Sequence, residues 1–259
     1  MSTRLWDRAS RLPAPVDGRR RAEVAVLPAG LPDVDQLFTY MRDAELRFET
    51  LRIRIEDTTA TSVGETLMVI ETTLRHPGHA RVTTTEPAKG LTGSYEIWIS
   101  DGDTVRTCSA QHRLGTERPV RRSVVGLEDP DLPGMSTVYR PVTPLPMETL
   151  PDTFVHPGGY SQNVLATGRC WISGTADVAG REAIVLECDH PRTIELAGDR
   201  RDHHLQVSVD RETGVIVRLR ETIGDAVTRD AIVTALTPDA PLQPGVFDFE
   251  FPTGTTIIY

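Results

Sequence analysis

The sequence predicts a mainly β, α+β protein built on an antiparallel sheet, and three observations carry that prediction. Leu205, Val207 and Val209 alternate with Gln206, Ser208 and Asp210, a turn follows at 210 to 214, and Val215, Val217 and Leu219 then alternate with Arg218 and Arg220. One apolar and one solvated face at period two is the signature of a half-buried hairpin. The stretch 168 to 189 repeats it around Ala179-Gly180, with Ile184, Leu186 and Cys188 on the apolar side. The third observation is Ser94-Tyr-Glu-Ile-Trp-Ile-Ser100 running into Asp101-Gly102, a tight-hairpin signal after which 104 to 110 is expected to pair back.

Taken in order, residues 1 to 30 mix Pro13, Pro15, Gly18, Pro28 and Gly30 with the basic cluster Arg19-Arg-Arg21, which predicts an extended or partly disordered arm. A single domain is expected over 31 to 259. Asp33 is placed to cap a helix that carries Val34, Leu37, Phe38 and Met41 on one stripe. Leu51-Arg-Ile-Arg-Ile55 then alternates strictly and marks the first strand, followed by a turn-rich link at 58 to 64. The run 65 to 74 is apolar on both faces and reads as a central strand, and 80 to 86, rich in threonine, as another. From 114 to 168 the pattern dissolves among eight prolines, an irregular segment expected to act as a cover, with short helices at 147 to 155 and 161 to 166. A last strand is expected at 226 to 236, and a helical turn at 244 to 247 within the aromatic C-terminal segment.

Composition narrows the function classes. The 259 residues carry a net charge of -9, with a pI near 5.3, which disfavours a general nucleic-acid binder. Of 28 basic residues only Lys89 is a lysine, a bias that reads as codon usage. Cys108, Cys170 and Cys188 lack CxxC spacing, so reduced thiols are expected rather than a disulfide framework or zinc ribbon. No run of 18 apolar residues and no leader-like start occur, from which a soluble cytoplasmic protein without a transmembrane segment is expected.

Four pieces in fixed order now resemble a known superfamily. They are Glu96-x-Trp98-x-x-Asp101-Gly102; Val178-Ala-Gly-Arg-Glu-Ala-Ile-Val-Leu186; Val209-Asp-x-x-Thr-Gly214 with Arg218; and Pro241-Leu-x-Pro-x-x-Phe247-x-Phe249-x-x-Pro252-x-Gly254. Together they resemble the LolA and RseB superfamily of lipoprotein-carrier folds over about 33 to 257. The resemblance implies a strongly curved antiparallel half-barrel whose concave face is covered by helices and binds acyl chains or other lipids. In the RseB branch it implies a regulatory or scaffolding module that engages a protein segment. The chain departs from the carriers in its Pro-rich middle and its basic arm.

A lipid site needs only a dry cavity, since each buried methylene contributes about 0.8 kcal/mol. The ligand-lining candidates are therefore inward apolar positions: Ile53, Ile55, Leu67, Val69, Ile97, Leu186, Val207 and Val217, with Trp98 and Trp171 as larger apolar surfaces that keep one donor. For each of them an ordinary filled core is the competing reading. Neither GxSxG, HExxH, GxxxxGK[ST] nor GxGxxG occurs, and no catalytic residue, metal or cofactor is assigned. Cys188, His190, His203 and His204 could supply metal ligands, but Pro191 and the loop setting argue against it. His156, Tyr160, Asp189 and His190 would support an enzyme if they gathered at one pocket. The leading expectation is a binding protein for a hydrophobic or lipid-like ligand, the second a module with a protein partner, the third an enzyme using the same cavity.

Overall fold

In a computed structural model, residues 24–90, 95–120, 141–191 and 202–258 are described. Most of the expected arm and the middle of the Pro-rich segment lie outside them. The described elements are α1 (Val34–Arg42), β1 (Thr50–Thr61), β2 (Gly64–Arg75), β3 (His79–Thr85), β4 (Tyr95–Asp101), β5 (Thr104–Ser109), β6 (Leu114–Pro119), α2 (Leu150–Val155), α3 (Pro157–Asn163), β7 (Arg169–Val178), β8 (Arg181–Asp189), β9 (His203–Asp210), β10 (Ile216–Ile223), β11 (Ala226–Pro238) and β12 (Thr256–Ile258). The strands form one open sheet in the order β12-β6-β5-β4-β3-β2-β1-β11-β10-β9-β8-β7. Every pairing is antiparallel except β12 with β6, so the sheet is mixed by that single short edge strand.

Curvature follows from irregularities in the ladder. Register shifts fall at Arg54/Ile55 against β11, at Glu221/Thr222 and Ile216/Arg218 in β10, and at Ile172/Gly174 in β7. An extra residue bends its strand and increases the local twist, and four such sites curl the sheet so that one face becomes concave. Along β1 that inner face carries Leu51, Ile53, Ile55 and Asp57, opposite Leu74, Thr72, Ile70 and Met68 of β2.

Helices fill one end of the concavity. Asp33 caps α1 through its carboxylate, which accepts from the Gln36 N–H at 2.7 Å, while Gln36 returns a bond to the Asp33 N–H, so two orphan donors are satisfied reciprocally. The helix turns Leu37 and Met41 into a core with Phe48, Leu51, Ile55, Phe154, Val155, Leu165, Leu186, Val207 and Leu219. The Asp210-x-x-Thr-Gly214 turn explains why α1 sits where it does. Asp210, 1% exposed, accepts from Arg181 and from the N–H and hydroxyl of Thr213. The resulting turn offers the carbonyls of Arg211 and Glu212 to the Tyr40 hydroxyl at 2.7 and 2.8 Å. Gly214 has φ +79°, and a Cβ there would come within 3.1 Å of the Tyr40 ring, so glycine serves both the turn and the approach of the helix.

Several sequence expectations are corrected by the pairing. β1 continues through 58 to 61, because Thr58, Thr59 and Thr61 pair with Leu67, Thr66 and Gly64, and the expected link shrinks to two residues. Leu114–Pro119 forms a strand where no pattern is legible, and β12 follows the expected last strand. The described end of the arm is pinned: Arg211 donates to the carbonyls of Pro28, Ala29 and Gly30, and Arg47 to that of Ala25.

Phe154 is fully buried where α2 meets the sheet and α1. Truncating an aromatic core residue typically costs roughly 3–5 kcal/mol, so F154A is expected to lower the unfolding free energy by about that amount in a urea titration. V63A, at an exposed turn, is expected to change it by less than about 0.5 kcal/mol.

Candidate functional site

Beyond the helical core the concavity stays open as a cavity of about 970 Å³. Its floor is the inner face of the sheet. Met68, Ile70 and Val82 supply the aliphatic part from β2 and β3, Trp98 the aromatic part from β4, and Leu219 and Ile223 the far side from β10. The roof is the cover, with Leu150, Pro151 and Thr153 from α2 and Tyr160 and Val164 from α3 and its end. Pockets of roughly 300–1,000 Å³, mostly apolar with a few placed polar groups, are the usual form of small-molecule sites.

The polar groups gather toward the rim formed by the β10–β11 turn. Asp57, 6% exposed, receives two hydrogen bonds from Arg229, both at 2.9 Å, across the β1–β11 seam. Glu221, cross-strand from Arg229, and His203, cross-strand from Ile223, belong to the same rim, and Glu96 and Glu148 line the cavity from β4 and the cover.

A polar latch holds the cover down. The buried carboxylate of Glu45 accepts from the Val142 N–H at 2.7 Å and lies 3.5 Å from His156 Nε2, while His156 Nδ1 contacts Asp152 at 2.8 Å. Thr143 Oγ1 accepts from the Gly78 N–H at 2.9 Å and is hydrogen-bonded to His76 Nδ1 at 2.7 Å. His76 itself is held neutral. Burial, reinforced by His156 nearby, holds its pKa down to about 4 against small opposing effects of Glu45 and Asp239, and its ring stacks on Phe48 at 5.3 Å.

The ten apolar candidates separate. Trp98 lines the cavity, as does Ile97, although the side chain of Ile97 belongs to a second cluster with Ile99, Cys108, Phe249 and Phe251. Ile53, Ile55, Leu186, Val207 and Val217 lie in the filled core under the helices. Leu67 and Val69 are corrected to the outer face: Ile55 pairs with Ile70 and Asp57 with Met68, which gives the inward parity of β2 to Met68 and Ile70, and Leu67 is 39% exposed. Trp171 is likewise outside and 39% exposed, 6.0 Å from the ring of His204. Burial opposes charging of that histidine, but hydrogen bonds to Asp189 and Glu187 outweigh it and raise its pKa. Of His156, Tyr160, Asp189 and His190, only Tyr160 reaches the cavity, so the set needed for an enzyme is dispersed. Among the described residues no group of three or more His, Cys, Asp or Glu could hold a metal ion, and no helix is long and apolar enough to cross a membrane.

The class defined by this geometry is an open, curved, mainly β sheet with a helical cover over an apolar cavity. No protein-family model matches the chain, and no curated protein matches it. Solved structures similar to it include MucB, with TM-score 0.47 and 16% identity over 83% of this chain and 62% of that one; the Pseudomonas aeruginosa protein is also solved with MucA. An uncharacterized conserved protein from Thermus thermophilus aligns with TM-score 0.48 and 9% identity over 86% and 98% of the two chains. A LolA superfamily protein from Nitrosomonas europaea aligns with TM-score 0.34 and 10% identity over 85% and 99%. The chain thus spans less than two thirds of MucB.

A pH dependence follows from the latch. Between roughly pH 6.5 and 4 the unfolded chain protonates His76 and the native state does not, so the native state loses stability as pH falls through that window. Urea midpoints at pH 7 and 4.5 are expected to show a smaller acid loss for H76Q than for the unaltered protein.

Proposed function

We propose that this chain is a non-catalytic binding protein that holds a hydrophobic or amphiphilic, lipid-like molecule between the concave sheet and its helical cover. The observation that carries this reading is the 970 Å³ cavity with Met68, Ile70, Val82, Trp98, Leu150, Val164 and Leu219 in its walls. An aliphatic chain laid along them leaves water on both sides, and at about 0.8 kcal/mol per methylene a chain of ordinary length supplies enough free energy for micromolar binding after association costs. The partner-binding alternative calls for a filled interior, and the open cavity favours the ligand reading over it.

Fluorescence titration with N-phenyl-1-naphthylamine tests this directly. Saturable enhancement in the micromolar range is expected, together with competition by long-chain lipids. Leu114 lines the mouth and is 39% exposed, so L114W narrows the entrance with little cost to the fold. That variant is expected to weaken probe binding at least tenfold at an unchanged urea midpoint. A probe that does not bind the folded protein would overturn the reading.

A further inference from the structure

The charges around the cavity specify the polar end of its ligand, an inference that rests on the binding function just proposed. Among the described residues lining the cavity, four are carboxylates, Asp57, Glu96, Glu148 and Glu221, while Arg229 is the only Arg or Lys. The Arg229 guanidinium is engaged by Asp57 through two hydrogen bonds at 2.9 Å. An incoming anion therefore meets a cation already matched by a carboxylate, inside a wall whose described residues sum to a negative charge. His203 provides a second and independent sign of a ligand. Its ring lines the cavity and is 2% exposed, and its Nδ1 has no hydrogen-bond partner. A buried polar atom without a partner is costly, and a bound group that completes its hydrogen bond gains accordingly. His203 sits cross-strand from Ile223, next along the rim from Glu221.

We propose that the cavity selects an aliphatic amphiphile whose head is a protonated amine. Its chain lies along Met68, Ile70, Val82 and Trp98, and the ammonium rests at the rim. One N–H is directed to the His203 imidazole and the charge faces the carboxylates. A carboxylate, sulfate or phosphate head finds net repulsion there.

Displacement of N-phenyl-1-naphthylamine by dodecylamine, 1-dodecanol and dodecanoate, all below their micelle concentrations at pH 7.5, separates chain from head. Dodecylamine is expected to displace the probe at a concentration at least tenfold lower than dodecanoate, with dodecanol between. Glu96 and Glu148 are both exposed, so the E96Q/E148Q double variant folds, and it is expected to reduce the amine-to-carboxylate ratio at least threefold. Raising the salt to 1 M is expected to narrow the ratio as well. Dodecanoate that competes as well as dodecylamine would overturn the assignment of the head while leaving the cavity function standing. Failure of all three chains, dodecanol included, would remove the cavity function itself.

A different observation assigns a modification site. Cys170 and Cys188 face each other directly across β7 and β8, and both thiols are directed at one acceptor, the Leu165 carbonyl, at 3.1 and 3.5 Å. Directly opposed residues of an antiparallel pair have Cα separations of roughly 4.5 to 5.5 Å, within the range a disulfide spans. We infer that peroxide converts this pair to an intramolecular disulfide. The half-buried Cys170 attacks peroxide, releasing one water and leaving a sulfenic acid; the Cys188 thiol then displaces a second water as the S–S bond forms. The neighbouring Cys188 thiol favours the Cys170 thiolate against the opposing effect of burial. Oxidation also removes both S–H donors from the Leu165 carbonyl, which keeps the Gly168 N–H at 3.0 Å. Peroxide treatment followed by peptide mapping is expected to show the two cysteine peptides linked within one chain and smaller by two hydrogens. Over-oxidised Cys170 without a crosslink, or linkage only between molecules, would overturn the inference.

Discussion

Everything in this fold depends on the seam where β1 and β11 pair. The strands β1 to β6 form one antiparallel run and β7 to β11 another, and only the register from Leu51 against Pro238 to Thr59 against Arg229 joins them. The seam is reinforced at both ends. Asp239 accepts from the Glu49 N–H at 2.6 Å and returns its own N–H to the Thr50 carbonyl, while Arg229 clasps Asp57 at the other end. These partners are about 170 to 190 residues apart in sequence. Such contacts carry a large closure entropy, so the ladder, the ion pair and the inner apolar face have to form together for the pairing to hold.

Joining two runs into one curved sheet creates more inner surface than three short helices can cover. The consequence is an uneven interior. Near α1, Leu37, Met41, Phe48 and Phe154 meet Leu51, Ile55 and Leu74, and the space is filled. Toward the hairpin ends the inner face passes from Ile55 to Asp57 on β1 and from Leu219 to Glu221 on β10, and there the helices no longer reach. A charged residue on the buried face is tolerated because the groups it needs lie on the neighbouring strand: the carboxylate of Asp57 takes both donors of Arg229 in a bidentate geometry. The polar rim and the open cavity thus share one origin.

How much of this is legible in the sequence depends on whether the two faces of an element differ. The α1 cap, the β7–β8 and β9–β10 hairpins and the Asp-Gly turn are legible, since each has a polar side and an apolar side or a residue type that its turn demands. In β2, Leu67, Met68, Val69 and Ile70 are all apolar, and no local signal says which pair points inward. Only the register with Ile55 and Asp57 decides it. Ile97 misleads for a related reason: Phe249 and Phe251 fold back over the outer face and give it a second, small core. β6 escapes notice because Gly115 and Pro119 break its alternation, and its pairing comes from β5 rather than from its own composition. The Asp-x-x-Thr-Gly motif, in the sequence only part of a resemblance, has a structural meaning in the turn that receives Tyr40.

That turn sets the height of the cavity roof through a short chain of contacts. Asp210 fixes the turn, the turn fixes Tyr40, and Tyr40 fixes α1 over one end of the sheet. Arg47 lies 3.6 Å from the centre of the Tyr40 ring and donates to the Tyr40 carbonyl, which locks the end of the helix. α3 then rests on α1: a Cβ at Gly158 would lie only 3.1 Å from the Cα of Arg42, so the two helix backbones touch with no side chain between them. Tyr160 and Val164 follow on α3 and at its end, packed against the core on one side and lining the cavity on the other, at a height that the backbone contact with α1 helps to set. A roof supported from the side does not need a filled interior to stay in place, which is why the concave face can remain partly empty in a folded protein.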